Sequence, residues 1–233
     1  MNTVGKQTDP AGARKPLAIW GAKGPALIVA EIIRLRGEYD VVGYLDNLNP
    51  DRRGTGFGGA RVLGGEEELG NLWESGVRHI AFAFQNNHAR LRLAKMVKAK
   101  GFELATAIHP TACVSASARI GAGTVVRAQS AIGPETQIGE NCIIGYGAMI
   151  SHNCLIGDGA HLSSGVNVAG SVKIGRATWV GIGATIIDPK SVGDDCVVGA
   201  GAVVTNDVPD GVVAYGVPAR VVRANDRASV EST

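Results

Sequence analysis

Between residues 114 and 204 an aliphatic residue recurs at every sixth position without a break. Sixteen residues, from Val114, Ile120 and Val126 through to Val192, Val198 and Val204, hold one register. Four positions after each stands a small residue, such as Ala118, Thr124, Cys142, Ala148 or Cys196, with Lys190 the exception. Glycine directly follows the aliphatic residue in nine hexads, Ile120-Gly121 and Val198-Gly199 among them. A period of six fits neither an α-helix nor an alternating strand. It marks a hexapeptide β-helix, in which each hexad supplies one short strand and one turn, and three hexads close a triangular coil. The aliphatic side chains then point into the prism and the small residues fit its corners, while glycine is expected to supply unusual turn dihedrals. About five coils follow, stacked at roughly 4.8 Å. Cys142, Cys154 and Cys196 all take the small corner position. With Cys113 they form no CxxC pair, so neither a metal nor a redox framework is expected.

Upstream the period is different. Residues 16–20 (PLAIW) read as a strand, 26–37 as an amphipathic helix with Pro25 in its first turn and Gly37 as its stop, and 40–46 as a second strand. A third strand is expected at 78–84 and a second helix at 88–101. Alternation of this kind implies a small parallel sheet covered by helices. The fold class is therefore α/β plus all-β. A Rossmann-like sheet domain is expected at 16–108 and a parallel β-helix at 109–221, with flexible tails at 1–15 and 222–233. A chain of 233 residues has room for both cores. The formal charge of +2 gives no reason to expect nucleic acid or an anionic membrane as partner. The first fifteen residues lack a signal-peptide core and no run is apolar enough to span a bilayer, so a cytoplasmic location is expected.

The stretch MISHNCLIGDGAHLSSG (149–165) places His152 and His161 nine residues apart among small and aliphatic residues. Coil geometry stacks residues eighteen apart, so Pro134, His152, Gly170 and Asp188 fall on one line. An exposed His152 there could accept a proton from an attacking amine or hydroxyl near neutral pH.

The GAKG turn, GYLD, AIHPTACV at the junction, the hexads, the two-histidine stretch and the closing GVVAYGVPAR together resemble one family over residues 16–224. The chain resembles the left-handed β-helix acyltransferases. More narrowly, it is similar to nucleotide-sugar acetyltransferases of the bacillosamine and perosamine type, close to sialic acid O-acetyltransferases. The resemblance implies acetyl-CoA as co-substrate, a nucleotide-linked amino sugar as acceptor, and a homotrimer with sites between subunits. It also implies His152 as general base, Gly170 as backbone donor to the thioester carbonyl, and His161 beside the thioester. Arg220 would reach coenzyme A phosphate. Gly21, Lys23 and Gly24 would face the sugar diphosphate, Asp46 and Asn47 the ribose or base, and Asn86 the sugar.

Some positions depart from the pattern. Asn153 stands where relatives carry a carboxylate, so it can orient the imidazole without stabilising imidazolium. Glu135, one coil before Asn153, is the expected substitute partner. Asn206 replaces a lysine of the relatives, and Lys190, turned outward beside Pro189, is the candidate to compensate. The weaker dyad favours an amine acceptor, giving N-acetylation of a nucleotide-linked 4-amino-deoxy sugar by direct transfer. O-acetylation of a sialic acid is the alternative. A γ-type carbonic anhydrase would need three histidine ligands where the repeat has two, so no metal is expected. A non-catalytic scaffold would bind no acetyl-CoA.

Overall fold

The computed structural model describes residues 14–226. Its first half is a six-stranded sheet with the elements β1 (Lys15–Trp20), α1 (Gly24–Arg36), β2 (Tyr39–Leu45), β3 (Gly56–Phe57), β4 (Ala60–Gly64), α2 (Leu69–Glu74), β5 (His79–Phe82), α3 (Asn87–Ala99) and β6 (Glu103–Leu104). The strand order is β3-β4-β2-β1-β5-β6, all parallel except for the β3–β4 hairpin. Both faces are covered, so β1 is buried throughout its second half. Leu17 and Ile19 join the core under α1, while Ala18 and Trp20 join the opposite core under α3. α1 ends where expected, with Gly37 at φ 73 and its N–H on the Ile33 carbonyl. The connection leaves β1 toward β2 on one side and β5 on the other. That makes the carboxyl ends of these strands a topological switch point, the usual place for a ligand crevice.

The second half is a left-handed parallel β-helix of two-residue strands. Three parallel sheets form its faces. The first runs through Val125–Val126, Ile143–Ile144, His161–Leu162 and Trp179–Val180, the second through Met149–Ile150 and Asn167–Val168, and the third through Leu155–Ile156 and Lys173–Ile174. Register shifts by eighteen residues from coil to coil, as His161↔Trp179 and Leu155↔Lys173 illustrate, and by sixteen at the closing turn, where Val192 meets Val208 and Val197 pairs with Val213. The repeating aliphatic residues from Val126 to Val204 are all buried in one core. Each such side chain contributes about 1.5–3 kcal/mol of burial.

The corners repay inspection because one expectation fails there. Glycines directly after the aliphatic residue do not have left-handed dihedrals. Their requirement is space, since a Cβ on Gly121 or Gly145 would meet the backbone of the next coil at 2.5 or 2.4 Å. The left-handed residue comes two positions later. It is Gly123, Gly147 or Gly159 in some coils, and Glu135, Asn141, Asn153, Ser171, Ala177 or Asp195 in others. The small position has chemistry as well as size. Thr124, Thr136 and Thr178 hydroxyls donate to carbonyls fifteen residues on, and the Cys142 and Cys154 thiols do the same at 3.2 and 3.1 Å. Burial pushes the Cys142 thiol up to about 12, which suits a structural and not a reactive sulfur.

Helix α3 lies along the corner between the third and first faces. Lys98 pairs with Glu140 at 2.8 Å, His88 with Asp195 at 2.9 Å, and the Asn87 amide donates to the Ala177 carbonyl at 2.8 Å. Most of the two expected tails lies outside the described residues. Where they are described they are ordered: Lys15 already belongs to β1. The strand Ala219–Ala224 runs past residue 221 because it pairs antiparallel with Val212–Gly216.

Candidate active site

At the switch point, Gly21 adopts φ 122 and donates its N–H to the Leu45 carbonyl at 2.8 Å. A Cβ there would stand 2.8 Å from the Ala83 carbonyl oxygen, so only glycine allows β1 to meet β5 so closely. Lys23 and Gly24 are exposed where α1 begins, and no side chain caps that helix start. Pro25 has no N–H and that of Ala26 is spent on the Lys23 carbonyl, so the Gly24 N–H at the positive end of the helix, with Lys23 beside it, is what suits a phosphate. Asp46 ends β2 in the same crevice, but its carboxylate is turned inward. The Leu48 N–H and the Asn49 amide donate to it at 2.9–3.1 Å, and Arg52 stands 3.6 Å away. Asp46 thus braces the loop, and the exposed Asn47 stands beside it. Arg52 also donates to the Ala22 carbonyl inside the GAKG turn and lies over the Phe57 ring at 5.1 Å.

His152 is exposed on the corner between the second and third faces. Its Nδ1 is 2.9 Å from Asn153 Oδ1. An amide oxygen can only accept, so Nδ1 carries the proton and Nε2 keeps its lone pair. Asn153 can place its side chain there because its backbone is left-handed, at φ 57. The imidazole lies on Gly170, where a Cβ would approach Cε1 at 2.6 Å and Nε2 at 2.7 Å. Among the described residues nothing accepts from the Gly170 N–H. A free donor and a free base therefore sit together, which is the pair that acyl transfer to an amine or hydroxyl requires. Glu135 takes no part in this geometry. Its backbone N–H donates to Ser117 Oγ at 3.1 Å, and among the described residues no bond joins its carboxylate to His152.

His161 lies on the first face, 4% exposed, across a cleft from the start of α3. Its ring stacks on Trp179 with centroids 6.0 Å apart, and Trp179 Nε1 donates to Ser163 Oγ at 2.9 Å. Burial, then the positive charges of Arg90 and Arg127, push its pKa down to about 3. It is a neutral group at any working pH. A cleft of about 640 Å³ opens beside it, lined by Gln85, Asn86, Asn87, His88, Trp179 and Asn225 among others. Asn86 caps α3, its side chain accepting from the Ala89 N–H at 2.8 Å.

Along the His152 corner, Asn206 continues the line of His152, Gly170 and Asp188, about 14 Å from His152 at the strand spacing. Asn206 is exposed and its amide reaches only Thr205 Oγ1, at 3.4 Å. Lys190 is half-buried and its charge bears on Asp207, whose carboxyl is lowered chiefly by hydrogen bonds from Ser191. Arg220 is exposed on the closing hairpin opposite Tyr215.

Three family profiles match the chain. They are the PglD N-terminal domain over residues 16–97, the bacterial transferase hexapeptide repeat over 135–170, and the hexapeptide repeat of succinyl-transferase over 171–206. PerB from Caulobacter crescentus, solved with CoA and GDP-perosamine, is 37% identical with a TM-score of 0.84, covering 89% of this chain and 97% of its own. The chain belongs to the hexapeptide-repeat nucleotide-sugar acetyltransferases. The acetyltransferase domain of PglB from Neisseria gonorrhoeae is 34% identical with a TM-score of 0.83, over 90% of this chain and all of that one. Similarity to curated sequences is more local. Galactoside O-acetyltransferase of Escherichia coli is 47% identical over 57 residues, which is 24% of this chain and 28% of that relative.

Within this acetyltransferase fold, sequence reasoning missed Arg52, Asn87, Arg90 and Trp179. Trp179 had a readable signal, since it follows His161 by one coil. The other three act through contacts between segments far apart in sequence.

Proposed function

We propose that the protein transfers the acetyl group of acetyl-CoA to the amino group of a nucleotide-linked 4-amino-deoxy sugar, with His152 as general base. The observation that carries this reading is the imidazole of His152, held at Nδ1 by Asn153 and packed with Nε2 against Gly170. The amine nitrogen attacks the thioester carbonyl carbon. Nε2 takes the proton that the nitrogen sheds, and the Gly170 N–H stabilises the oxygen as it gains charge. The carbonyl re-forms as the carbon–sulfur bond breaks, and the proton leaves with coenzyme A as its thiol. No acyl-enzyme is needed, which agrees with corner cysteines that are buried and raised in pKa.

The substrate class is supported by the relatives, of which PerB and histidine-to-alanine and histidine-to-asparagine mutants of the Caulobacter enzyme hold CoA and GDP-perosamine. Gly21, Lys23 and Gly24 would take the sugar diphosphate, Asp46 and Asn47 the ribose or base, Asn86 the sugar, and Lys190, Asn206 and Arg220 the far end of coenzyme A. A homotrimer is part of the reading. His152 sits on the corner opposite the face that carries His161, with the packed aliphatic core between them. The two can serve one site only if a second copy supplies one of them. We assign the enzyme to the cytoplasm and its product to polysaccharide biosynthesis.

The test is acetyl-CoA-dependent thiol release with UDP-, GDP- and dTDP-linked 4-amino sugars and free sialic acid. Turnover with one nucleotide amino sugar, lost in His152→Ala, is the expected result. Turnover on sialic acid alone would replace N- with O-acetylation, and silence with every acceptor would leave a scaffold.

A further inference from the structure

Arg90 is 1% exposed and heads the largest fully buried side chains among the described residues. A guanidinium in that position usually answers a carboxylate, yet among the described residues none pairs with it. It serves three carbonyls. Nη1 donates to Phe84 at 3.2 Å, Nε to Asn141 at 3.2 Å and Nη2 to Gly159 at 2.8 Å. Phe84 leads directly into Gln85, Asn86 and Asn87, which line one wall of the cleft beside His161. Gly159 stands two residues before His161, which lines the other wall. The side chain thus bonds both walls at once. Leu91 supports the same joint, since a Cβ on Gly159 would meet its Cδ1 at 2.7 Å.

Asn87 shows what this joint holds in place. Its amide nitrogen donates to the Ala177 carbonyl at 2.8 Å, which ties the start of α3 to the coil behind the cleft. The Asn87 Oδ1 is buried and takes no hydrogen bond within the described protein.

We propose that Arg90 is the positioning residue of this cleft, fixing residues 84–87 against the coil that carries His161 so that groups from both domains meet one ligand at a set separation. A fork of five donors in a plane can reach three carbonyls in different directions, which a lysine ammonium on the same stem cannot. The identity of the ligand as the amino-sugar end of a nucleotide sugar rests on the function proposed above. The mechanical role of Arg90 does not.

Hydrogen–deuterium exchange on the full chain separates the two. Arg90→Lys keeps the charge and loses the fork. Amides of residues 84–88 and 159–163 should then exchange about tenfold faster, with the coils beyond Val180 unchanged. In thiol release, KM for the nucleotide amino sugar should rise about tenfold while kcat stays within about twofold. Exchange that quickens uniformly, or a KM that does not move, would make Arg90 a stability element and overturn the proposal. Leu91→Ala loosens the joint without disturbing the buried charge, so it carries the test should Arg90→Lys not fold. The same local pattern at smaller amplitude is expected, and its absence counts against the proposal. A wild-type chain that turns over no amino sugar would remove the ligand assignment, leaving the exchange pattern to decide the role of Arg90.

Discussion

The corner that carries His152 and the face that carries His161 are built from the same six-residue repeat, half a coil apart, and prepare the same side chain for opposite tasks. On the corner the imidazole is exposed, held at Nδ1 by Asn153 and bare at Nε2. On the face it is buried, stacked on Trp179 and kept neutral by burial beside Arg90 and Arg127. One imidazole is presented to solvent with a ring nitrogen open to a substrate, and the other is sealed in and held neutral. The residue type is shared, and the environment assigns the role.

Removing the corner imidazole should break the comparison most severely. His152→Ala is expected to lower kcat by about 10²–10⁴-fold. Its melting temperature should barely change, because an exposed side chain contributes within about 0.5 kcal/mol. Gly170→Ala comes next. The new Cβ would displace the ring by contact, and a misplacement of about 1 Å is expected to reduce turnover on the order of 10²-fold. Thiol release measures both, and a Gly170→Ala enzyme of full activity would mean that the ring does not work where it lies.

The face histidine should speak through stability. Unfolded, His161 takes up a proton below about pH 6.5, whereas folded it resists until about pH 3. The folded state therefore loses stability as pH falls through that window, by about 1.4 kcal/mol per pH unit at most. Urea melts at several pH values should show a shallower acid slope in His161→Gln than in the wild type. An identical slope would mean that His161 titrates normally. The smallest effect sharpens the corner. Asn153→Asp adds a charge beside imidazolium and should move the acid limb of the pH–rate profile upward by about one unit. Glu135→Ala should leave that profile where it was.

What the chain declared in advance follows from how local each feature is. The aliphatic register, the eighteen-residue stack and the resulting neighbourhood of His152 and Gly170 all depend on a repeat that any part of the chain reports. The glycine after each aliphatic residue was legible as a requirement but not as a reason, because the next coil's backbone is what it makes room for. The hairpin of β3 and β4 went unread since its strands are short and embedded in glycines 54–65. The burial of His161 and the inward turn of Asp46 could not be read at all. One depends on α3 reaching across the chain to Gly159, the other on Asn49 and Arg52 filling the carboxylate's lone pairs.

The ladder of stacked coils sets distance in fixed steps. His152, Gly170 and Asn206 lie on it at whole-number rungs, and the closing hairpin with Arg220 caps it. Gaining or losing eighteen residues between Gly170 and that cap would translate one end relative to the other by a single rung, with every interior side chain still in register. A prism of this kind is a caliper: the length of molecule it can grip between base and cap is counted, and lineages can change that count only in integers.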